Sequence, residues 1–308
     1  MTLVQSEALT PETALATYGK SFNWARRFLG RRMGTNAAML YRFCRVLDDM
    51  ADGDIKNGPE RLLVIHQDLC ANGAVLASDK LLASFQPFIT AHKLPLPVIN
   101  ALIEGLLDDQ KPVRINDQAE LLRYCYRVAG TVGLMMCNLL DCDDKDAMAH
   151  AIDLGIAMQL TNIARDVLED AQMQRRYLPA SWAWKISPDK IFGLSQSPEN
   201  AAGKQVTAAV KTMLALADDY YKSGLAGCAY LPLRAHLAIS VAAITYRQIG
   251  VQIAGTGYAW YLGRQSTGLL TKILCSFIAL GSLTSRFRPR SPHKSSLHTA
   301  LKGLPYVR

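Results

Sequence analysis

Apolar residues recur along this chain at three- and four-residue intervals over long stretches, while the strict alternation expected of strands is scarce. Thr10-Pro11-Glu12 reads as an N-cap with proline in the first turn and opens a helix to about Arg27. The same period predicts helices over 36–52, 59–70, 81–92, 97–109, 117–141, 146–172, 201–227, 233–263 and 269–283, with Gly53-Asp54 stopping the first of these. Ser181 to Glu199, with its prolines and serines, reads as a loop holding at most one turn of helix. No repeat or low-complexity linker divides the pattern. It predicts one all-α domain over 1–284, followed by a polar, basic tail over 285–308 that is expected to be disordered.

Two of these helices carry the same polar inscription. On the first, Tyr41, Arg45, Asp48 and Asp52 fall at roughly 0°, 40°, −20° and 20° around the axis. On the second, Gln159, Asn162, Asp166 and Asp170 fall at about 0°, −60°, −20° and 20°. Each helix thus presents two carboxylates four residues apart, amid apolar sequence such as Leu40, Phe43, Val46 and Leu47, or Ile156, Leu160 and Ile163. Like charges at that spacing repel by about 0.2–0.5 kcal/mol even on an isolated helix, and in apolar surroundings they need a compensating cation. Two facing pairs make an oxygen-only site suited to Mg2+, which completes its shell with water and substrate phosphates. The pattern points to diphosphate chemistry.

Charge and composition narrow the picture. Half of the 308 residues are hydrophobic and 19% are charged, enough for a large core or an internal cavity. The formal net charge is +8, but from Arg286 to the last residue there are six Lys or Arg residues and no acid, so the body carries only about +2. Met1 to Glu12 lacks the basic and apolar regions of a signal peptide. The apolar run from Ile273 to Leu283 is shorter than the ~20 residues of a spanning helix. Seven cysteines, odd in number and without a C-x-x-C pair, read as reduced and mostly buried. These features together predict a cytoplasmic protein, which the basic tail could hold peripherally at a membrane.

Other clusters carry less. Asp141 to Asp144 reads as a helix cap and surface, while Glu104, Asp108 and Asp109 remain open between surface and site. Lys20-Ser21-Phe22 offers an ammonium beside a hydroxyl, and Arg264 and Lys272 stand eight residues apart; a solvated role is open to each. Arg45 has an equally cheap account in an ordinary ion pair. Gly130, Gly133 and Gly155 sit inside helices at roughly 1 kcal/mol each relative to alanine. They serve either close helix packing or room for a long ligand. There is no G-x-G-x-x-G unit, phosphate loop, H-E-x-x-H or G-x-S-x-G elbow, and no aromatic–basic interleaving that would suggest nucleic acid.

Four segments together resemble the squalene and phytoene synthases, the head-to-head prenyl transferases: Y-R-F-C-R-V-L-D-D-M-A-D from Tyr41, Y-C-Y-R-V-A-G-T-V-G from Tyr124, Q-L-T-N-I-A-R-D-V-L-E-D from Gln159 and R-R-Y-L-P from Arg175. The resemblance runs over nearly the whole body and is nearest to the bacterial phytoene synthases. It implies an isoprenoid-synthase fold, a single helical domain around a central cavity, with Mg2+ or Mn2+ held by Asp48, Asp52, Asn162, Asp166 and Asp170. It implies diphosphate contacts from Lys20, Ser21, Tyr41, Arg45, Arg165, Tyr246, Arg264 and Lys272, with Phe22, Gln159, Gly130 and Gly133 bordering the substrate. Tyr18-Gly19 departs from the His-Ser that often precedes Lys-Ser-Phe in that family.

The implied reaction condenses two geranylgeranyl diphosphates through prephytoene diphosphate to phytoene, in carotenoid biosynthesis. No nucleotide fingerprint is present, so NADPH is not expected; ATP stimulation enters by resemblance alone. An enzyme joining fifteen-carbon substrates, giving squalene or dehydrosqualene, would use the same metal site. A helical lipid-binding protein without catalysis is the reading from a different class.

Overall fold

The computed structural model describes residues 10–72, 79–142 and 144–307; the N-terminal segment read above as no signal peptide lies mostly outside them. Among the described residues the chain forms fifteen α-helices and no strand, with a lone bridge between Arg114 and Arg176. The helices are α1 (Pro11–Tyr18), α2 (Lys20–Arg26), α3 (Arg31–Ala51), α4 (Gly58–Asn72), α5 (Lys80–Ala83), α6 (Gln86–Ala91), α7 (Leu96–Asp109) and α8 (Gln118–Cys125). They continue with α9 (Thr131–Leu139), α10 (Lys145–Arg165), α11 (Val167–Gln172), α12 (Pro188–Leu194), α13 (Ala201–Gly227), α14 (Leu233–Gly255) and α15 (Leu269–Ser282). The all-α expectation holds.

The helical period explains which faces pack. Leu40, Phe43, Leu47 and Met50 bury one stripe of α3, and Ile152, Ile156, Leu160 and Ile163 bury one of α10. Helix α13 lies along α10 in the most extensive pairing of the fold, with Val206, Val210, Met213, Ala217 and Tyr221 inside. Fully burying a Val, Leu, Ile, Phe or Met side chain contributes about 1.5–3 kcal/mol.

Departures from the predicted boundaries have local causes. The first predicted helix breaks at Gly19 (φ −108°, ψ 49°), so that Lys20 starts α2. The helix predicted over 117–141 carries one π-turn at Tyr126–Gly130, and the one over 146–172 breaks at Asp166 (φ −102°, ψ 16°). The Ser181–Glu199 loop holds a longer helix than expected, the seven-residue α12.

Two glycines on facing helices set the spacing of the wall formed by α9 and α10. A Cβ at Gly133 would stand 2.2 Å from the carbonyl oxygen of Ala151, and one at Gly155 would stand 2.3 Å from that of Ala129. Both obstacles are backbone, which cannot turn aside as a side chain could.

The tail departs most from expectation. Residues 295–301 form a 3-10 helix, and His298, Leu301 and Leu304 are buried. Arg123 donates to the carbonyls of Ala300 and Lys302 at 3.1 Å, Tyr220 to that of Leu297 at 2.7 Å, and Tyr126 to that of Pro305 at 2.5 Å. His293 and His298 both donate through Nε2 to the buried carboxylate of Asp153, at 2.8 and 2.9 Å. The charge run is therefore fastened to the body by anchors interleaved with it.

The apolar segment near the tail is also longer than the sequence run implied. Leu269–Phe287 and Leu233–Gly255 are both long and apolar enough to cross a membrane by length and composition. Half of the latter's apolar window is buried in the fold, but only 11% of the former's.

The Gly133 contact predicts a stability effect. Gly133→Ala should lower the free energy of unfolding by about 1–3 kcal/mol, as is typical of overpacking, read as a lower urea midpoint at unchanged slope. An unchanged midpoint would mean that the wall formed by α9 and α10 relaxes freely.

Candidate active site

Three connected spaces lie between the helices. The first is a pocket of about 150 Å³ whose lining includes Asp48, Asp52, Asp109, Asn162, Asp166 and Asp170. Asp48 and Asp52 come from the C-terminal end of α3, where Asp52 is the cap residue. Asp166 occupies the break between α10 and α11, and Asp170 sits one turn further on. The two predicted stripes thus face one pocket, although the second is carried by two helices rather than one.

Electrostatics make this pocket expectant of cations. Burial, reinforced by the charge of Asp166, pushes the Asp170 carboxyl up to about 8. Asp48 is pushed up to about 6, chiefly by burial, with Arg45 opposing and Asp52 adding to the rise. Asp109 also rises to about 6 through burial, although it accepts hydrogen bonds from Tyr124 (2.8 Å) and Tyr177 (2.9 Å). Arg175 offers a partial counter-charge, 3.3 Å from Asp52. The buried Oδ1 of Asn162 has no hydrogen-bond partner. Raised carboxylates and an unpartnered amide oxygen fit a divalent ion, which takes oxygen ligands.

The second space, about 510 Å³, is lined by cations and donors: Lys20, Ser21, Arg165, Arg264 and Lys272, with Phe22 and Tyr246. Residues from four separate stretches of sequence therefore converge here. Burial and the nearby charge of Lys20 lower the Lys272 ammonium, a sign of crowded positive charge. Arg165 joins this space to the first, because its Nε and Nη2 donate to Asp166 at 2.7 and 2.5 Å. Arg264 also reaches Asp166, at 3.5 Å.

The third space is an apolar cavity of about 300 Å³ running along α10. Phe22, Gln159, Asn162 and Tyr246 also line the polar spaces, whereas Tyr41, expected at the diphosphate, lines only the apolar ones; Ala147, His150 and Leu231 lie beyond, with Gly133 in the wall. A smaller apolar lobe of about 120 Å³ shares Phe22, Tyr41, Val132 and Met136 with it. The Phe22 ring stacks on Tyr246 with centroids 5.0 Å apart, and Tyr41 stands 6.5 Å away.

Two expectations require correction. Arg45 lines none of these spaces. Its guanidinium donates to Asp48 at 3.1 Å, pairs with buried Asp49 at 2.5 Å and lies over the Tyr18 ring. Gly130 does not border the cavity either; a Cβ there would meet Tyr126 and Ile152, so it serves helix packing. Asp109, Tyr124 and Tyr177 were not singled out as site residues. The available signal was that the Tyr124 and Arg175 segments stood out with the two aspartate stripes, leaving Asp109 as the acid between their tyrosines.

Residues 15–271 match the family model described as squalene/phytoene synthase. The chain is similar to a 15-cis-phytoene synthase of Pantoea ananas, 33% identical over 92% of this chain and 94% of that protein. It is 36% identical to a phytoene synthase of Thermus thermophilus, over 82% and 84% of the two chains. Among solved structures it resembles a dehydrosqualene synthase in complex with ligand, with a TM-score of 0.76, 26% identity and coverage of 92% and 98%. The chain belongs to the squalene/phytoene synthase family, has the isoprenoid-synthase fold and is a prenyltransferase. The family depends on divalent metal and acts on prenyl diphosphates.

The raised carboxyls predict how metal and pH interact. A carboxyl whose pKa is higher folded than unfolded favours the fold below the unfolded value, and that advantage is lost as pH rises through the folded one. Asp170→Asn should therefore raise the metal-free melting temperature at pH about 8, with the difference shrinking toward pH about 4. Each kcal/mol recovered is worth about 2–4 °C in a chain somewhat smaller than this. Mg2+ affinity of the unaltered protein should rise between pH about 6 and 8, because bound carboxylates must be deprotonated. Calorimetric titration at several pH values checks the second outcome, and a flat profile contradicts it.

Proposed function

We propose that this squalene/phytoene synthase family member is a 15-cis-phytoene synthase, joining two geranylgeranyl diphosphates head-to-head through prephytoene diphosphate with release of diphosphate. The observation that carries this reading is the pair of apolar lobes that share Phe22 and Tyr41 and lie next to one acidic and one cationic pocket. Two prenyl chains need two apolar channels whose reacting ends meet, which is what the shared residues provide. Relatives named phytoene synthase at 32–36% identity support the twenty-carbon substrate. The likeness to a dehydrosqualene synthase favours a second reading, condensation of two farnesyl diphosphates.

In this reading Asp48, Asp52, Asn162, Asp166 and Asp170 hold Mg2+ or Mn2+, which supplies Lewis acidity toward the leaving diphosphate. Lys20, Ser21, Arg165, Arg264 and Lys272 bind the diphosphate oxygens and stabilise the charge that develops as the allylic C–O bond breaks. Arg45 acts indirectly, by holding Asp48 and Asp49 in place. The faces of Phe22, Tyr41 and Tyr246 lie where the allylic cation forms, and aromatic faces attract cations. The apolar walls exclude water, which would otherwise quench the cation before the C2–C3 double bond of the second chain attacks it. Final deprotonation falls to the released diphosphate, since the cavity wall offers few bases.

Product analysis tests the reading. With Mg2+ and without NADPH, geranylgeranyl diphosphate should give phytoene, with a higher kcat/KM than farnesyl diphosphate gives toward any fifteen-carbon coupling product. Asp166→Asn should lower kcat by at least about 100-fold while the fold survives, because it removes a ligand of the metal that would stabilise the leaving group. A preference for farnesyl diphosphate would establish the second reading.

The exposed face of α15 is the membrane contact in this proposal. Leu270 (82% exposed) and Phe277 (66%) on α15, and Phe287 (92%) in the turn after it, are exposed, and the exposed Arg288 and Lys294 follow in the chain. A juxtamembrane cation is worth about 1 kcal/mol against anionic lipid, and the apolar face adds burial among acyl chains. Leu270→Glu with Phe277→Glu should abolish co-sedimentation with anionic vesicles at low salt and leave turnover in detergent unchanged. Undiminished sedimentation would remove this face from the proposal.

A further inference from the structure

The C-terminal segment reaches the far end of the prenyl cavity through one side chain. His150 lines the cavity twelve residues before Asn162 on the same helix, about 18 Å along its axis. Ala147, Leu140, Cys228 and Leu231 line the cavity with it. The imidazole is buried, with a polar oxygen within reach of each nitrogen. Nδ1 lies 2.8 Å from Ser223 Oγ, and Nε2 lies 3.3 Å from the carbonyl oxygen of Ser291 in the C-terminal segment. Ser223 in turn donates to Asp153 Oδ2 at 2.5 Å.

Asp153 is the hub of this support. It is fully buried and accepts from Ser223, His293 and His298. Burial would push its carboxyl upward, but the donors hold it below the usual carboxylate range. The three groups could be taken for a metal site, since their ligand atoms lie within 4.8 Å of one another. The separations argue otherwise. Ligands held at about 2.0–2.2 Å around a tetrahedral ion stand about 3.3 Å apart, whereas the two Nε2–Oδ separations here are 2.8 and 2.9 Å. These are direct hydrogen bonds, and the cluster is a clamp between the tail and α10.

We propose that His150 determines the length of prenyl chain that the cavity accepts, and that the clamp formed by Asp153, His293 and His298 holds it in that role. The inference rests on the proposed prenyl-condensing function and adds the identity of the floor. An unclamped imidazole could swing aside for a longer chain. One enclosed between Ser223 and Ser291 cannot do so without breaking a hydrogen bond that burial makes costly to lose. His150 is a specificity-determining residue, and His298 is a positioning residue acting through Ser291 and Asp153.

The test is competition among farnesyl, geranylgeranyl and geranylfarnesyl diphosphates, with products and released diphosphate measured together. His150→Ala should raise the kcat/KM ratio of the twenty-five- to the twenty-carbon substrate by about tenfold or more, as expected when a pocket gains space for several methylenes. His150→Phe should shift preference toward the fifteen-carbon substrate. His298→Gln, which keeps a donor for Asp153, should leave the ratios near those of the unaltered protein, whereas His298→Ala should move them in the direction of His150→Ala. Circular dichroism melts identify variants that fail to fold, and His150→Gln serves as the milder substitution in that case. Normal turnover with unchanged length ratios in the folded His150 variants would overturn the inference. Absence of turnover in the unaltered protein with all three substrates would instead overturn the proposed function.

Discussion

Repulsion among crowded carboxylates is the constraint around which this molecule is built. Asp48, Asp52, Asp109, Asp166 and Asp170 line one small pocket, and the raised carboxyls of Asp48, Asp109 and Asp170 record the cost of holding them there. Arg45, Arg165 and Arg175 relieve part of it without filling the space between the helices. A protein core gains nothing from such an arrangement, because similar volumes of apolar side chain would be at least as stable. It becomes favourable only when cations arrive, and a divalent ion carrying diphosphate brings both the missing charge and the missing ligands.

Charge of the opposite sign is kept close but separate. Lys20, Arg264 and Lys272 stand in the neighbouring space, and they are joined to the acids chiefly through Arg165 and Asp166 at the break between α10 and α11. A continuous helix would have kept these two side chains on its regular spiral. The break lets adjacent residues serve two different pockets. Collapse of all the cations onto all the acids would neutralise the site and leave nothing to attract substrate. Distributing them across two walls leaves a gap in which a metal–diphosphate complex satisfies both.

The sequence revealed the stripes, and with them the acidic pocket, because carboxylates at helical spacing amid apolar residues leave few alternatives. Convergence of Lys20, Arg165, Arg264 and Lys272 was not legible from periodicity; it followed from the family resemblance, since each cation taken singly looks like a solvated charge. Arg45 misled because a residue on the metal stripe can turn its head toward its own helix, here to Asp49. Gly130 misled because a missing side chain reads alike whether it makes room for ligand or for a neighbouring helix. The tail misled most. Its anchors, His293, Leu297, His298, Leu301 and Leu304, are isolated among charges and prolines, and the partners of the two histidines lie at least 140 residues earlier. No local pattern records a contact of that range.

Small residues along α9, α10 and α13 reconcile two demands that usually oppose each other. Close packing needs helix backbones near one another, while a prenyl-sized cavity needs side chains absent. Gly133 and Gly155 meet both demands, each lining the cavity and each letting the backbone of a neighbouring helix come within a distance that a Cβ would forbid. The walls are therefore stiff where they are thinnest, because their separation is fixed by backbone atoms and not by adaptable side chains. A cavity with such walls can change shape readily only at its ends. One end is the charged mouth, which must stay open to diphosphate. The other is the His150 floor, which leaves that floor and its support from the C-terminal segment as the place where length can be adjusted without disturbing the ionisation site.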